Sequence, residues 1–168
     1  MANVSVSTGG SGPVIRIRFE RKNKEKFDFT YRAFKSFDGQ GVSVGIHPDK
    51  NRRKEGGLTN TEVAIIHEYG DKKNPERSFV RRTLARRAPA RLALNKLFMD
   101  GVPDVLRGKM TAKQLNEDMG KMMVAAVRKT IDNDVPPPNR PSTVRQKGNA
   151  LTLRETFQMY NALDYKVR

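Results

Sequence analysis

Apolar and polar residues alternate over three segments in the first third of the chain. The segments 14–19, 27–31 and 41–46 each place apolar side chains at every second position or nearly so. A period of two is the period of a β-strand that buries one face. The pattern therefore predicts three strands before residue 50. Phe34 and Phe37 leave the alternation, which leaves open a short helix around 31–37.

Helical spacing replaces this alternation in the middle of the chain. Thr59 and Glu62 fit a capping box that begins a helix, and Gly70 is well placed to end it. Ser78 begins a second helical pattern, which Pro89 should break or kink because proline lacks an N–H. A connector follows at 101–108. The segment 111–132 predicts the most regular amphipathic helix.

The last part of the chain returns to extended structure. Pro136, Pro137 and Pro138 favour an extended conformation. A short helical turn near 142–146 and a helix over 153–160 follow, and 163–167 predicts a final strand that pairs with the first three.

The order of elements predicts an α+β domain. We expect a small, mostly antiparallel sheet packed against two or three helices, with extended loops and a Pro-rich arm. Residues 1–12 are rich in Ser and Gly and predict a flexible N-terminal arm. Residues 13–168 form one domain.

The composition limits the core and points to anionic partners. Only 36% of the 168 residues are hydrophobic, and 33 Lys and Arg oppose 18 Asp and Glu, which gives a net charge of +15. Such a charge favours nucleic acid, an acidic protein face or a membrane surface. The chain has no cysteine, no signal-peptide pattern and no apolar run long enough to span a bilayer, so we expect a protein assembled in the cytoplasm without a membrane.

No arrangement of residues predicts catalysis. His47 and His67 are the only histidines, and His67-Glu68 lacks the second histidine of a zinc-protease helix, because Asp71 stands there. Nucleophile elbows, phosphate loops and dinucleotide fingerprints are missing from the sequence. We therefore expect no enzyme activity, no cofactor and no metal, with His67 at a surface or interface.

A dense group of arginines is the most distinctive charged feature. Four positive charges fall within two turns of the predicted second helix, and like charges at this spacing cost helix stability. They either contact phosphates or an acidic neighbouring subunit, or form a solvated helix face. With their flanking residues they form the predicted charged contact surface: Arg77, Arg81, Arg82, Arg86, Arg87 and Arg91.

Four sequence blocks, in this order, form a pattern. They are V-S-V-G-I at 42–46, L-T-N-T-E-V-A-I-I-H-E-Y-G at 58–70, N-P-E-R-S-F-V-R at 74–81, and a C-terminal block. The last block joins P-P-P and P-S-T-V-R-Q-K-G, at 136–148, to E-T-F-Q-M-Y-N-A-L-D-Y-K-V at 155–167. The set resembles a family of tailed-bacteriophage neck and tail-completion proteins.

Two positions depart from the family pattern. Phe157 stands where the family has the Gly of an Asp-Thr-Gly turn, and Ser78 stands where Pro is usual. Without that Gly, which adopts a positive φ without strain, we expect the turn to be rebuilt as continuous helix. The first forty residues lie outside the resemblance.

The resemblance implies a structural virion protein at the head–tail junction, assembled in the host cytoplasm. Such proteins form a ring, commonly six-fold, that completes or terminates the tail and contacts neck, connector and tail-tube proteins, with DNA in the channel. The expected subunit interface comprises Thr59, Glu62, Ile66, His67, Tyr69, Pro136, Pro137, Pro138, Pro141 and Lys147. The alternatives are a non-specific basic DNA-binding or assembly factor and, ranked lowest, an enzyme such as a nuclease.

Overall fold

The computed structural model describes residues 3–9, 12–18, 21–54 and 57–168, with side chains from residue 24 onward. Helices dominate, with three strands in the first 46 residues and one at the C-terminus. The elements in chain order are β1 (Asn3–Gly9), β2 (Gly12–Arg18), α1 (Arg21–Lys35), β3 (Val42–Ile46), α2 (Asn60–Tyr69), α3 (Phe79–Thr83), α4 (Pro89–Leu106), α5 (Ala112–Asp132), α6 (Pro141–Lys147), α7 (Gln158–Ala162) and β4 (Leu163–Val167).

The predicted α+β class is confirmed. β3 and β4 pair antiparallel, with Val42 opposite Val167 and Ile46 opposite Leu163, and this two-stranded sheet packs against α5. β1 and β2 form a separate antiparallel hairpin. The final strand therefore pairs with an earlier strand as predicted, but within the described part of the chain it pairs with β3 alone.

The segment 27–31 is helical, so the predicted strand there is wrong. Phe27, Tyr31 and Phe34 are spaced i, i+4 and i+7, which fits one face of a helix as well as the alternation fits a strand. The Phe27 and Tyr31 rings stack with their centroids 6.3 Å apart. Lys, Arg and Glu around them favour helix. The spacing of the apolar residues alone could not distinguish a strand from a helix in this segment.

The N-terminal prediction also changes. The structure places Asn3–Gly9 in β1, where the sequence predicts a flexible arm. Residues 1, 2, 10 and 11 of that arm, together with Phe19 of the predicted first strand, lie outside the described residues.

The middle helices follow the sequence closely, with one exception. α2 has the predicted capping box and ends at Gly70 with φ 72°, and Pro89 occupies the first position of α4 after a break from α3. The predicted connector 101–108 is largely helix, since α4 runs to Leu106. Gly101 lies where α4 packs on α5, and a β-carbon there would clash with the Leu115 side chain, so the glycine allows the two helices to pack closely.

The C-terminal helix is shorter than predicted. Only Gln158–Ala162 is helical, because Leu153 and Phe157 take positive φ values of 61° and 54°. The expected continuous helix is therefore wrong, and a turn remains where the family pattern has one. The predicted turn at 142–146 is present as α6.

Two apolar clusters form the core of the part of the chain whose side chains are described. A small one lies between α4 and α5, around Leu115 and Val105. The larger cluster joins α3 and α5 to the C-terminal segment, so residues from distant parts of the sequence share one interior: Phe79, Val127, Ile131, Val135, Leu153, Met159 and Leu163.

Candidate functional site

The loop before α2 is held by the first residues of that helix. The Glu62 carboxylate accepts a hydrogen bond from Thr59 N, and Thr59 Oγ1 accepts one from Glu62 N. Asn60 Nδ2 donates to Lys50 O at 2.9 Å, and Thr61 N donates to Asn51 Oδ1 at 2.8 Å. Thr59 and Glu62, which the sequence assigns to a subunit interface, thus satisfy each other within the chain.

Glu68, near the end of α2, organises the beginning of α3. Its side chain is buried, and its two oxygens accept hydrogen bonds from Val80 N and Arg81 N, both at 2.9 Å, and from Arg81 Nε at 3.0 Å. Ser78 makes no side-chain cap. The carboxylate of Glu68 therefore caps α3. The sequence did not reveal this interaction, because Glu68 lies in α2 and the amides that it binds lie in α3.

Arg81 is held by acidic groups and an aromatic ring. Besides its bond to Glu68, its guanidinium forms an ion pair with Glu76 at 3.0 Å and lies over the Tyr69 ring at 4.7 Å. These contacts satisfy much of the charge of Arg81 inside the subunit. The side chain is still half exposed at the surface.

Arg77 does not belong to the predicted charged surface. It is only 6% exposed, and its guanidinium donates to Pro137 O at 2.8 Å, Pro138 O at 3.3 Å and Asn139 Oδ1 at 3.2 Å. A planar guanidinium can serve several acceptors at once. Arg77 therefore holds the Pro-rich segment to the domain, and this corrects its assignment as a contact residue.

His67 lies beside this clamp. Burial, with the nearby positive charges of Arg77 and Lys147, lowers the pKa of His67 to about 4, so the imidazole is neutral at pH 7. Its Nδ1 is buried, without a hydrogen-bond partner among the described residues. Lys147 is itself largely covered and pairs with Glu155 at 2.8 Å. Neither residue is a free surface charge.

The remaining predicted interface residues are divided between interior and surface. Ile66 is half-buried in α2, whereas Tyr69 is 64% exposed. The side chains of Pro136, Pro137, Pro138 and Pro141 are exposed, although Arg77 holds the backbone carbonyls of Pro137 and Pro138.

Three exposed arginines of the basic group follow one another between the end of α3 and the start of α4. Arg82 lies in the last turn of α3, and Arg86 and Arg87 lie in the turn before α4, so the predicted single helix face is not present. Their side chains are exposed and make no ion pair with the residues that the structure describes. Arg91, also exposed, donates weakly to Leu84 O at 3.4 Å. We call Arg82, Arg86 and Arg87 the basic turn.

Exposed apolar side chains form a second surface feature. Phe27, Tyr31 and Phe34 are each more than half exposed on α1, as are Leu92 and Met99 on α4. The sequence did show the i, i+4, i+7 spacing on α1, but the alternation there concealed it. Large exposed apolar side chains in such number are typical of surfaces that another chain covers.

Neither a metal-binding cluster nor a membrane-spanning helix occurs in the part of the chain that the structure describes. In those residues, His, Asp and Glu nowhere form a group of three that could bind a metal ion. The helices there are also too short or too polar to cross a membrane.

The chain matches no family model, no curated protein and no solved structure.

Proposed function

We propose that this chain is a structural subunit of a tailed-phage virion. It forms a ring at the head–tail junction, completes or terminates the tail, and joins it to the DNA-filled head. The proposal assigns the chain no catalytic activity. The observation that carries it is the convergence of the four sequence blocks that resemble the neck and tail-completion family.

Each block contacts another through a specific interaction. β3, the first block, pairs with β4, the end of the fourth. Glu68 of the second block bonds to Arg81 of the third. Arg77 of the third block donates to Pro137 of the fourth. Blocks separated by up to 123 residues thus build one substructure, which is what a shared functional fold would require.

The two departures from the pattern keep the backbone that the usual residues favour. Phe157 has φ 54°, in the left-handed region that suits the glycine of the pattern. Ser78 has φ −66°, the value that proline fixes. The side chains differ from the pattern while the backbone conformation fits it, and this supports the resemblance at the two positions where the sequence opposes it.

The surface suits a subunit that is completed by neighbours. The larger core contains seven buried apolar residues, while aromatic and aliphatic side chains of α1 and α4 stay exposed. Covering them with a neighbouring subunit would release about 25 cal/mol for each Å² of apolar surface. Ring formation would supply this stabilisation.

The basic turn supplies the charged contact. Arg82, Arg86 and Arg87 have no acidic partner among the described residues, and α4 begins beside them without an acidic residue in its first turn. An unneutralised helix N-terminus adds to the positive potential. The turn is suited to DNA phosphates in the channel or to an acidic face of the next ring.

Copy number and position in purified virions test the proposal. We expect quantitative mass spectrometry to give about six or twelve copies, the number of a ring of the implied symmetry, and electron microscopy to place them at the neck. Absence from the particle would overturn the proposal.

Charge reversal tests the basic turn. R82E/R86E/R87E should leave the monomer folded and block head–tail joining. K54E/K72E/K73E changes the net charge by the same amount at exposed lysines elsewhere and should give normal virions. Normal virions from the arginine variant would contradict the proposal that the basic turn makes the charged contact in head–tail joining.

A non-specific DNA-binding or assembly factor is the second candidate, favoured by the net charge of +15 and the unpaired arginines. It predicts that the free monomer binds DNA tightly, with log affinity falling linearly with log salt. A ring subunit should bind DNA poorly before assembly. Fluorescence anisotropy with a random duplex at several salt concentrations separates the two.

A further inference from the structure

The backbone of β3 presents a free edge. Gly41 N donates to Arg168 O at 3.1 Å and Arg168 N donates to Gly41 O at 2.9 Å, so this pair exchanges both hydrogen bonds. In an antiparallel ladder such pairs alternate with pairs that exchange none. Ser43 and Gly45 therefore bond to β4, whereas the N–H and C=O groups of Val42, Val44 and Ile46 point away from it.

The two edges of this sheet differ. On β4, Arg128 donates to the outward carbonyl of Leu163 at 2.9 Å, and Asp164 Oδ1 accepts from the outward N–H of Tyr165 at 2.9 Å. Side chains thus cover part of that edge. On β3, the outward groups of Val42, Val44 and Ile46 bond to no described residue. An unprotected edge is a template for another strand.

An apolar groove adjoins the end of β3. It has a volume of about 260 Å³ and lies between Ile46, α2 and α3. Ile65 and Tyr69 border it and are more than half exposed. A strand added to β3 would direct alternate side chains toward one face of the sheet, so its end would place apolar side chains near this groove.

The same chain contains a strand with a matching free edge. Among the described residues, β1 and β2 pair only with each other, and a two-stranded hairpin is marginally stable in water. Thr8 lies opposite Pro13, which has no N–H, so this pair does not exchange both hydrogen bonds. Because the two kinds of pair alternate along an antiparallel ladder, Val6 and Val4 also direct their backbone groups outward.

The other edge of the hairpin is less suited to pairing. Pro13 falls at an outward position of β2, opposite Thr8, and has no N–H to donate. The free edge of β1 is therefore the one that can extend a sheet.

Charge also favours β1 as the occupant. Met1 to Ile15 is the longest stretch of the chain without a charged residue, in a protein of net charge +15. Two copies repel each other through their basic surfaces, and an uncharged strand adds nothing to that repulsion. β1 therefore combines a free hydrogen-bonding edge with a neutral composition, and both properties suit a strand that pairs with β3.

We propose that β1 of one copy pairs with the free edge of β3 in a second copy, so that neighbouring subunits share a sheet. The contact joins different surfaces of the two copies, and a contact of this kind closes into a ring when the rotation allows it. The inference deepens the proposed function and rests on its claim that the chain forms a ring.

Hydrogen exchange of the full chain tests the contact. We expect the amides of Val42, Val44 and Ile46 to exchange rapidly in the monomer and to become at least tenfold slower at concentrations where the chain associates. Ser43 and Gly45 should be protected in both states, because β4 binds them. Rapid exchange at Val44 in the assembly, or a chain that stays monomeric, would overturn the inference.

Proline substitutions identify the two strands. V44P and V6P each remove one outward N–H and leave the bonds to β4 and β2 in place. I15P removes the outward N–H of the residue paired with Val6, on the other edge of the hairpin, and is the matched control. Circular dichroism and urea unfolding establish that each variant is folded.

Analytical ultracentrifugation then measures association. We expect V44P and V6P to weaken it at least tenfold and I15P to change it less than twofold. Association of V6P at the wild-type level, with Val44 still protected from exchange, would show that another segment occupies β3 and would overturn the inference.

The virion experiment distinguishes a failure of the proposed function from a failure of the proposed interface. Association through β3 without the chain in purified particles would reject the proposed function and keep the interface. Particles that contain the chain, and that form normally with V6P, would reject the interface and keep the function.

Discussion

Arg77 Nε donates a hydrogen bond to the carbonyl oxygen of Pro137 at 2.8 Å, across a separation of 60 residues. The same guanidinium reaches Pro138 and Asn139. An arginine that the sequence assigns to the surface thus acts as an internal clamp on the Pro-rich segment. The exposed and unpaired positive charge of this region is therefore carried by the basic turn.

Replacing Arg77 should destabilise the domain. R77A leaves the carbonyls of Pro137 and Pro138 and the side chain of Asn139 without their donor, and a hydrogen bond to a charged group contributes about 1.5–3 kcal/mol. We expect the free energy of unfolding in urea to fall by about 3 kcal/mol. R77K keeps the charge without the planar fork and should recover less than half of this loss. An R77A variant as stable as the wild type would show that the clamp contributes nothing.

Glu68 and Glu76 bind the same arginine but should differ in their contributions. Glu68 is buried and caps α3, whereas Glu76 is exposed. E68A should lower the free energy of unfolding by about 3 kcal/mol, because buried amide groups lose their acceptor. E76A should lower it by about 0.5 kcal/mol at most, as for other surface ion pairs. Equal losses in urea unfolding would contradict the assignment of Glu68 as the cap.

His67 should make stability depend on pH. The pKa of His67 is about 4 in the folded protein and 6.5 for an ordinary histidine, so the unfolded chain binds the proton more tightly. The titration of His67 therefore leaves the free energy of unfolding almost unchanged above pH 7 and lowers it as the pH decreases from 6.5 toward 4. Linkage gives a loss of about 2 kcal/mol between pH 7 and pH 5.

The control for His67 removes the titrating group. H67Q should unfold in urea with a smaller difference between pH 7 and pH 5, by that same amount, whatever its absolute stability. A difference identical to that of the wild type would mean that His67 is not buried in its neutral form.

Phe157 should prefer glycine to alanine. A non-glycine residue in the left-handed region costs about 1–2 kcal/mol. Both F157G and F157A lose the edge contact between Phe157 and Tyr160, whose centroids are 6.0 Å apart, so the comparison isolates the backbone. We expect F157G to be more stable than F157A by about 1 kcal/mol in thermal or urea unfolding. The reverse order, which is usual within helices, would show that φ is not positive there.

The sequence predicts local features of this fold better than its long-range contacts. Thr59 and Glu62 are three residues apart, and their capping box is confirmed. The long amphipathic helix is confirmed as α5 for a similar reason, since its period repeats over five turns. Phe27 and Tyr31 show the limit of such patterns, because their spacing fits two kinds of structure.

The candidate site was harder to predict, because its residues meet through tertiary contacts. Nothing local to Arg77 indicates that its side chain turns inward to Pro137, and nothing local to Glu68 indicates that it caps another helix. The residues next to an arginine in the sequence do not show whether its side chain is buried or exposed. The basic turn could be identified only from the structure, which shows which arginines bind acceptors inside the domain and which do not.

The pairing of β3 with β4 also sets the order of events during synthesis. Ser43 lies opposite Lys166, 123 positions later in the chain. A ribosome adds about 5–20 residues per second, so β3 waits roughly ten seconds for its partner. Throughout that interval both of its edges are exposed in a crowded cell, and a nascent chain translated nearby can reach them first.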